Sequence, residues 1–259
     1  RYRCSDQDLR LDGTGFVRVR GFTAKRPAKE TQASLTTPEP TANNHRSHTT
    51  TYNNQQQEPA MTPTPLNRLL LTGAAGGLGK VLRERLQGYA EVLRLSDISP
   101  MAPAAGPHEE VITCDLADKA AVHALVEGVD AIIHFGGVST EHSFEDILGP
   151  NICGVFHVYE AARKHGVKRI IFASSNHTIG FYRQDERIDA HAPRRPDSYY
   201  GLSKCYGEDV ASFYFDRYGI ETVSIRIGSS FPQPQNPRML CTWLSYDDLM
   251  QLIERGLFT

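Results

Sequence analysis

The chain has 259 residues, of which 40% are hydrophobic and 22% charged, and its formal net charge is −2 at pH 7. This composition is typical of a globular protein and excludes a general affinity for polyanions, so we expect no nucleic-acid partner. No apolar stretch reaches the ~20 residues that a membrane-spanning helix needs, and we expect no membrane partner. The five cysteines form no Cys-x-x-Cys pair, which favours reduced thiols in the cytoplasm: Cys4, Cys114, Cys153, Cys205 and Cys241.

The first 65 residues differ in composition from the rest of the chain. Between Gln32 and Pro65 the sequence is rich in Thr, Asn, Gln and Pro, and such a segment cannot bury enough apolar surface to offset its chain entropy. We therefore expect residues 1–65 to be disordered. The chain opens on Arg1 and its first methionine is Met61, so we interpret this segment as an upstream, non-native extension. A basic arm for nucleic acid is the less favoured alternative, because acidic residues interrupt its positive charge.

Strands and helices alternate over the remainder of the chain. Apolar runs predict strands at 69–72, 92–95, 111–114, 131–135, 169–174 and 222–227. Helical periodicity predicts helices at 78–86, 120–126, 144–165, 200–218 and 246–255, with Gly166 and Gly219 as two of the stops. This order predicts an α/β fold with a doubly wound, Rossmann-like parallel sheet. We expect an NAD-binding domain over residues 66–229, and a small, truncated substrate-binding part over residues 230–259.

A glycine-rich turn joins the first predicted strand to the first predicted helix, where the pyrophosphate of a dinucleotide is expected. Gly73 suits the tight turn, Gly76 lets the backbone approach phosphate, and Gly79 allows close contact between helix and strand. The spacing is Gly-x-x-Gly-x-x-Gly, which differs from the usual Gly-x-Gly-x-x-Gly. The alternative is an ordinary strand–helix turn that needs glycine for its conformation alone.

Two aspartates follow the next two predicted strands. Asp97 lies ~20 residues beyond the turn, where a carboxylate accepts from the ribose 2′-hydroxyl and repels a 2′-phosphate, so NAD is favoured over NADP. A solvated aspartate at a strand end is the alternative. We expect Asp115 at the adenine edge, with a capping role at the surface as the alternative.

Tyr200 and Lys204 form a Tyr-x-x-x-Lys pair on the predicted helix 200–218. Residues four apart share a helix face, so phenol and ammonium can point into one site. A nearby cation favours phenolate, which can take a proton from an alcohol. The spacing alone is weak evidence, but downstream of a nucleotide turn it indicates a dehydrogenase.

These residues together resemble the extended short-chain dehydrogenase/reductase superfamily, from about Leu69 to the C-terminus. Three segments, 136–139 (Gly-Gly-Val-Ser), 174–182 (Ser-Ser-Asn-His-Thr-Ile-Gly-Phe-Tyr) and 226–231 (Arg-Ile-Gly-Ser-Ser-Phe), are similar to the uronate dehydrogenases. The resemblance implies NAD-dependent oxidation of the anomeric C1 hydroxyl of glucuronate or galacturonate to an aldarolactone, in hexuronate catabolism.

The resemblance also implies roles for individual residues. Tyr200 would be the general base, Lys204 would hold the nicotinamide ribose and lower the pKa of the tyrosine, and Ser175 would bond the reacting oxygen. Arg238 would grip the substrate carboxylate, which a guanidinium can pair bidentately. The sugar hydroxyls would meet Ser139, Asn176, His177 and Ser229.

Two other functions remain open at this point. A nucleotide-sugar epimerase or dehydratase with bound NAD is the first, although it needs a larger substrate domain than the residues after Ser229 provide. A redox-sensing regulator that binds NAD without turnover is the second. The histidines and cysteines lack metal-ligand spacing, so we expect no metal. Self-association is compatible with the sequence, which does not set an oligomeric state.

Overall fold

The computed structural model describes residues 66–259, so the expectation of disorder over residues 1–65 lies outside the described part. The strands are β1 (Leu66–Thr72), β2 (Ala90–Asp97), β3 (Glu109–Thr113), β4 (Ala131–His134), β5 (Arg169–Ser175) and β6 (Glu221–Ile227). The helices are α1 (Gly77–Arg85), α2 (Lys119–Val126), α3 (Phe144–Ile147), α4 (Gly154–His165), α5 (Tyr199–Tyr218) and α6 (Tyr246–Phe258). None of the helices described is long and apolar enough to cross a membrane.

The six strands form one parallel sheet in the order β3-β2-β1-β4-β5-β6. The predicted doubly wound α/β fold is therefore confirmed. Leu71 of β1 lies between Leu95 of β2 and Ile133 of β4, so the direction of strand succession reverses between β1 and β4. Ligands of open parallel sheets bind beyond the carboxyl ends of the strands at such a reversal.

Helices cover both faces of the sheet because successive residues of each strand point to opposite sides. Leu70 of β1 is fully buried on one face, in a core to which α2, α4 and α5 contribute. Its neighbours Leu69 and Leu71 are fully buried on the other face, in a core to which α1 and α6 contribute. Such runs of apolar residues are typical of strands that are buried on both sides.

The helix predicted at 144–165 is divided in the structure. A π-helical segment, Leu148–Cys153, separates α3 from α4, and the N–H of Gly154 bonds to the carbonyl of Gly149 five residues earlier. Pro150 lies inside this segment and has no N–H for a regular helical bond. The widened turn turns Asn151 inward, where it is 3% exposed. The predicted stops Gly166 and Gly219 are confirmed, with left-handed φ angles of 77° and 64°.

Candidate active site

The glycine turn between β1 and α1 lies at the reversal of strand order. Gly73 has a φ of 76°, which favours glycine, and a Cβ there would come within 2.6 Å of the Phe135 backbone just after β4. A Cβ at Gly79 would overlap the carbonyl oxygen of Gly73, whereas Gly77 has open space around its Cβ position. β1, α1 and the end of β4 can therefore approach one another closely only because Gly73 and Gly79 have no side chain.

The N-terminus of α1 is suited to a phosphate. Gly76 caps this helix without a side-chain hydrogen bond, and the first turn holds no acidic residue. Unpaired N–H groups at a helix N-terminus attract anions, and Gly77 leaves space beside them. The turn thus fits the pyrophosphate of a dinucleotide.

The two aspartates lie in different surroundings. The carboxylate of Asp97 accepts from the backbone N–H groups of Ala75 in the glycine turn (3.0 Å) and of Ser99 (2.9 Å), so it lies beside that turn. Asp115 is exposed, and its carboxylate accepts from the N–H of Ala117 (2.9 Å). This is the capping arrangement that the sequence left open as the alternative, and contact with adenine stays a prediction for Asp115.

Tyr200 and Lys204 lie on the buried face of α5, as their spacing predicts, and are 8% and 7% exposed. The Nζ atom of Lys204 is 5.5 Å from the centroid of the Tyr200 ring and 5.1 Å from that of Phe172 in β5. Ser175 ends β5, and its hydroxyl lies close enough to the Tyr200 side chain to lower the pKa of the phenol. The structure therefore brings the three predicted catalytic residues together at the carboxyl end of β5.

Burial governs the protonation of this group. It raises the pKa of the Tyr200 phenol, and the nearby Ser175 hydroxyl opposes that rise. It also lowers the pKa of the Lys204 ammonium to about 8. Both shifts disfavour the charged form, as burial does in general. The net direction for Tyr200 is therefore opposite to the one expected from the Lys204 charge, because desolvation is the larger effect.

Asn176 and His177 follow Ser175 in a 3₁₀ turn, Asn176–Ile179. The Ser175 hydroxyl accepts from the N–H of His177 (3.2 Å) and lies 3.4 Å from Oδ1 of Asn176. The ring of His177 meets that of Tyr200 edge to face, with centroids 5.6 Å apart. Both predicted substrate contacts therefore lie beside Tyr200 and Ser175.

Ser139 lies on an exposed loop that Asn151 holds against α5. The Oδ1 atom of Asn151 accepts from the N–H of Val138 (2.7 Å), while its Nδ2 donates to the Val138 carbonyl (2.9 Å) and to the Ser203 hydroxyl (3.0 Å). Asn151 therefore joins the loop that carries Ser139 to the helix that carries Tyr200.

Ser229 and Arg238 lie on the segment between β6 and α6. The N–H of Ser229 donates to the Thr242 carbonyl (3.0 Å), and its carbonyl accepts from the N–H of Leu244 (2.9 Å). Arg238 is exposed, and its guanidinium forms no ion pair within residues 66–259. Over the same residues, no hydrogen bond joins the side chain of Ser229 or of Arg238 to Tyr200. Contacts within the protein therefore do not connect these two residues to the predicted catalytic residues.

The chain matches the model of a known protein family. The family model described as the NAD dependent epimerase/dehydratase family matches residues 69–242, which contain the glycine turn and all six strands except the first three residues of β1. This chain belongs to that family.

Among members of this epimerase/dehydratase family, the chain is similar to uronate dehydrogenases. It is 96% identical over 199 residues to the uronate dehydrogenase of Pseudomonas putida, covering 77% of this chain and 74% of the relative. It is 79% identical to that of Pseudomonas syringae pv. tomato, covering 76% and 72%. A mutant uronate dehydrogenase from Agrobacterium tumefaciens, solved in complex with NAD, has a TM-score of 0.73 at 57% identity, covering 75% and 73%.

In this member of the family, one acidic residue that the sequence did not indicate caps α5, the helix that carries Tyr200 and Lys204. The carboxylate of Glu141 accepts from the N–H groups of Tyr199 (3.1 Å) and Tyr200 (2.8 Å), and the Ser198 hydroxyl accepts from that of Gly201 (2.9 Å). The first three N–H groups of α5 are therefore satisfied. No local pattern could have indicated Glu141, because it lies 58 residues before Tyr199.

A second missed acid lies beneath the site. Glu208 is 5% exposed, accepts from the Ser174 hydroxyl (2.6 Å), and pairs bidentately with Arg226 (2.7 and 2.8 Å). It therefore ties α5 to both β5 and β6. Its spacing is a signal that could have been read, because Glu208 follows Lys204 by four residues and shares its buried face.

Proposed function

We propose that this protein oxidises the anomeric C1 hydroxyl of a hexuronic acid, glucuronate or galacturonate, to an aldarolactone with NAD, and that Tyr200 is the base. The observation that carries the proposal is the group of Tyr200, Ser175 and Lys204 at the sheet edge that also holds the glycine turn. High identity to uronate dehydrogenases supports this substrate class. The epimerase alternative is not favoured.

NAD is the cofactor of the family, and the turn between β1 and α1 suits it. Gly73, Gly76 and Gly79 would hold the pyrophosphate, Asp97 the adenine ribose and Asp115 the adenine edge. Lys204 would hold the nicotinamide ribose. When bound, NAD would accept the hydride that leaves the substrate carbon.

Tyr200 and Ser175 together would manage the proton of the C1 hydroxyl. The Ser175 hydroxyl lies near the tyrosine side chain, so a substrate oxygen placed between the two hydroxyls can donate its proton to the tyrosine oxygen and accept from the serine. Because burial raises the pKa of Tyr200, the positive charge of Lys204 is needed nearby to favour phenolate. Tyr200 and Ser175 are both buried, so bulk water does not reach the inner sides of their side chains.

The uronate itself would be recognised by the polar residues around this centre. We assign the sugar hydroxyls to Ser139, Asn176, His177 and Ser229. Arg238 is assigned to the substrate carboxylate, and its guanidinium, which has no carboxylate partner within residues 66–259, leaves its donors free for that role. These assignments rest on the sequence resemblance and on the positions of the loops.

The setting of the reaction follows from the same assignment. We place the enzyme in the cytoplasm, because Cys114 and Cys205 are buried free thiols, and in hexuronate catabolism, because oxidation with NAD removes the anomeric centre. Self-association stays a prediction.

The test is release of NADH, measured by absorbance, from glucuronate, galacturonate and UDP-hexoses. We expect turnover on the free uronates alone, and loss of at least about 100-fold in kcat for Tyr200→Phe, since a positioned acid–base group contributes about 10²–10⁴-fold. Phe213→Leu, an exposed change far along α5, is the control and should retain the rate. Turnover only on UDP-hexoses, or an unchanged rate in Tyr200→Phe, would refute the proposal.

A further inference from the structure

The ring of His177 is held by a carboxylate that lies outside the predicted site residues. Its Nδ1 atom is 2.8 Å from Oδ1 of Asp197, which directly precedes the N-cap of α5. The same Asp197 oxygen accepts from the Ser198 hydroxyl (3.0 Å), and the Asp197 N–H donates to the His177 carbonyl (3.4 Å). Hydrogen bonds of the side chains and of the backbone therefore both hold His177 against Asp197.

Two glycines make room for the contact. A Cβ at Gly180 would overlap the carboxylate of Asp197, and a Cβ at Gly201 would come within 2.5 Å of the His177 carbonyl oxygen. Neither glycine has a left-handed φ, so backbone freedom is not the reason for them. Both instead allow the 3₁₀ turn after β5 and the start of α5 to come close enough for the histidine to reach the aspartate.

The identity of the partner decides which imidazole nitrogen carries the proton. An ionised carboxylate can only accept hydrogen bonds, so Nδ1 of His177 must be the donor. In the neutral imidazole, Nε2 then carries a lone pair and is an acceptor. Within residues 66–259, Nε2 has no hydrogen-bond partner, and the ring lies edge to face against Tyr200.

We propose that Asp197 is a positioning residue that holds His177 in the Nδ1–H tautomer, so that Nε2 accepts a hydrogen bond from a hydroxyl of the uronate beside Tyr200. This inference rests on the proposed function. It gives His177 an acceptor role that complements the donors of Ser139 and Asn176. Asp197 acts through the imidazole and does not touch the substrate.

Steady-state kinetics of Asp197→Asn test whether Asp197 contributes to recognition of the uronate. An amide can donate as well as accept, so it no longer enforces one tautomer, and the same replacement in the Ser-His-Asp triad gives the wrong tautomer. We expect kcat/KM for the uronate to fall about 10- to 100-fold, mainly through KM; this is the range found when a residue that orients a metal-bound histidine is replaced. The dissociation constant for NAD should stay within about twofold. Asp185→Asn, on an exposed acid of the same loop, is the matched control and should change neither value.

Two further measurements separate positioning from general destabilisation. In a double-mutant cycle, Asp197→Asn should add no loss to His177→Ala, because it has no imidazole left to orient. In the unmodified protein, ¹⁵N NMR should show His177 protonated at Nδ1, and in Asp197→Asn a mixture of tautomers.

Several outcomes would overturn the inference. These are an Nε2–H tautomer in the unmodified protein, an unchanged kcat/KM in Asp197→Asn, and an equal loss in the His177→Ala background. If the unmodified protein does not oxidise uronates, the proposed function fails instead, and the NMR result still decides whether Asp197 sets the tautomer.

Discussion

The cofactor side and the substrate side of the site are built in different ways. On the cofactor side, β1, the glycine turn and α1 form a continuous segment whose shape depends on glycines that leave no room for a Cβ. On the substrate side, the loop after β4 is joined to α5 by side chains: Glu141 bonds to backbone N–H groups 58 and 59 residues along the chain, and Asn151 bonds to Ser203, 52 residues along it. Local backbone geometry thus makes one side, and long-range hydrogen bonds make the other.

The buried ion pair beneath the substrate side offers the largest test of this comparison. Arg226→Met removes the bidentate partner of Glu208 and leaves a carboxylate that is 5% exposed without its main counter-charge. We expect the free energy of unfolding to fall by about 3–5 kcal/mol, measured by urea denaturation.

The double variant Glu208→Leu/Arg226→Met serves as the control for this prediction. It should recover much of the lost stability, because no unpaired charge remains buried. A single variant as stable as the parent would show that the pair does not hold the substrate side together.

Lys204, which is buried beside Tyr200 on the substrate side, should lower the stability of the fold. Its pKa of about 8 in the folded protein lies below the 10.5 of the unfolded chain, so the penalty is fully present below pH 8 and disappears as the pH rises towards 10.5. Stability should therefore rise over this range. Lys204→Met removes the charge, and its free energy of unfolding at pH 7 should exceed that of the parent by up to about 3 kcal/mol, while oxidation of uronate is lost.

Urea denaturation of both proteins at pH 7 and pH 9.5 measures this effect. The difference between them should shrink at the higher pH, because the parent then bears only part of the cost of a buried ammonium. A difference that stays constant with pH, or a variant less stable at pH 7, would contradict the expected direction.

The glycine turn gives the smallest and most local test. Gly79→Ala places a methyl group against the Gly73 carbonyl, and such overpacking costs about 1–3 kcal/mol in stability. NAD binding, measured by calorimetry, should weaken with it because the turn is displaced. Gly77→Ala is the matched control, since its methyl group has open space. If both variants bind NAD alike, close contact at Gly79 does not shape the cofactor side.

The expectations from the sequence that were confirmed concern features set by a few neighbouring residues. All six strands and the end of α5 at Gly219 could be predicted, because apolar runs and glycine stops act over a few residues. The predicted helix 144–165 was interrupted by the π-helical segment around Pro150, whose consequence for Asn151 depends on the neighbouring loop. The net shift of the Tyr200 pKa could not be predicted from the Lys204 charge, because the upward effect of burial is a property of the folded core.

The sequence by itself determined the parallel α/β architecture, the position of the glycine turn, and the common face of Tyr200 and Lys204. Each of these follows from periodicity or from residue type at short range. Only the tertiary structure decided that Glu141 caps α5, that Glu208 pairs with Arg226, and that Asp197 reaches His177. These partners are 18 to 59 residues apart, and a hydrogen bond over that separation forms only when packing of the whole sheet and its helices brings both groups within 3 Å.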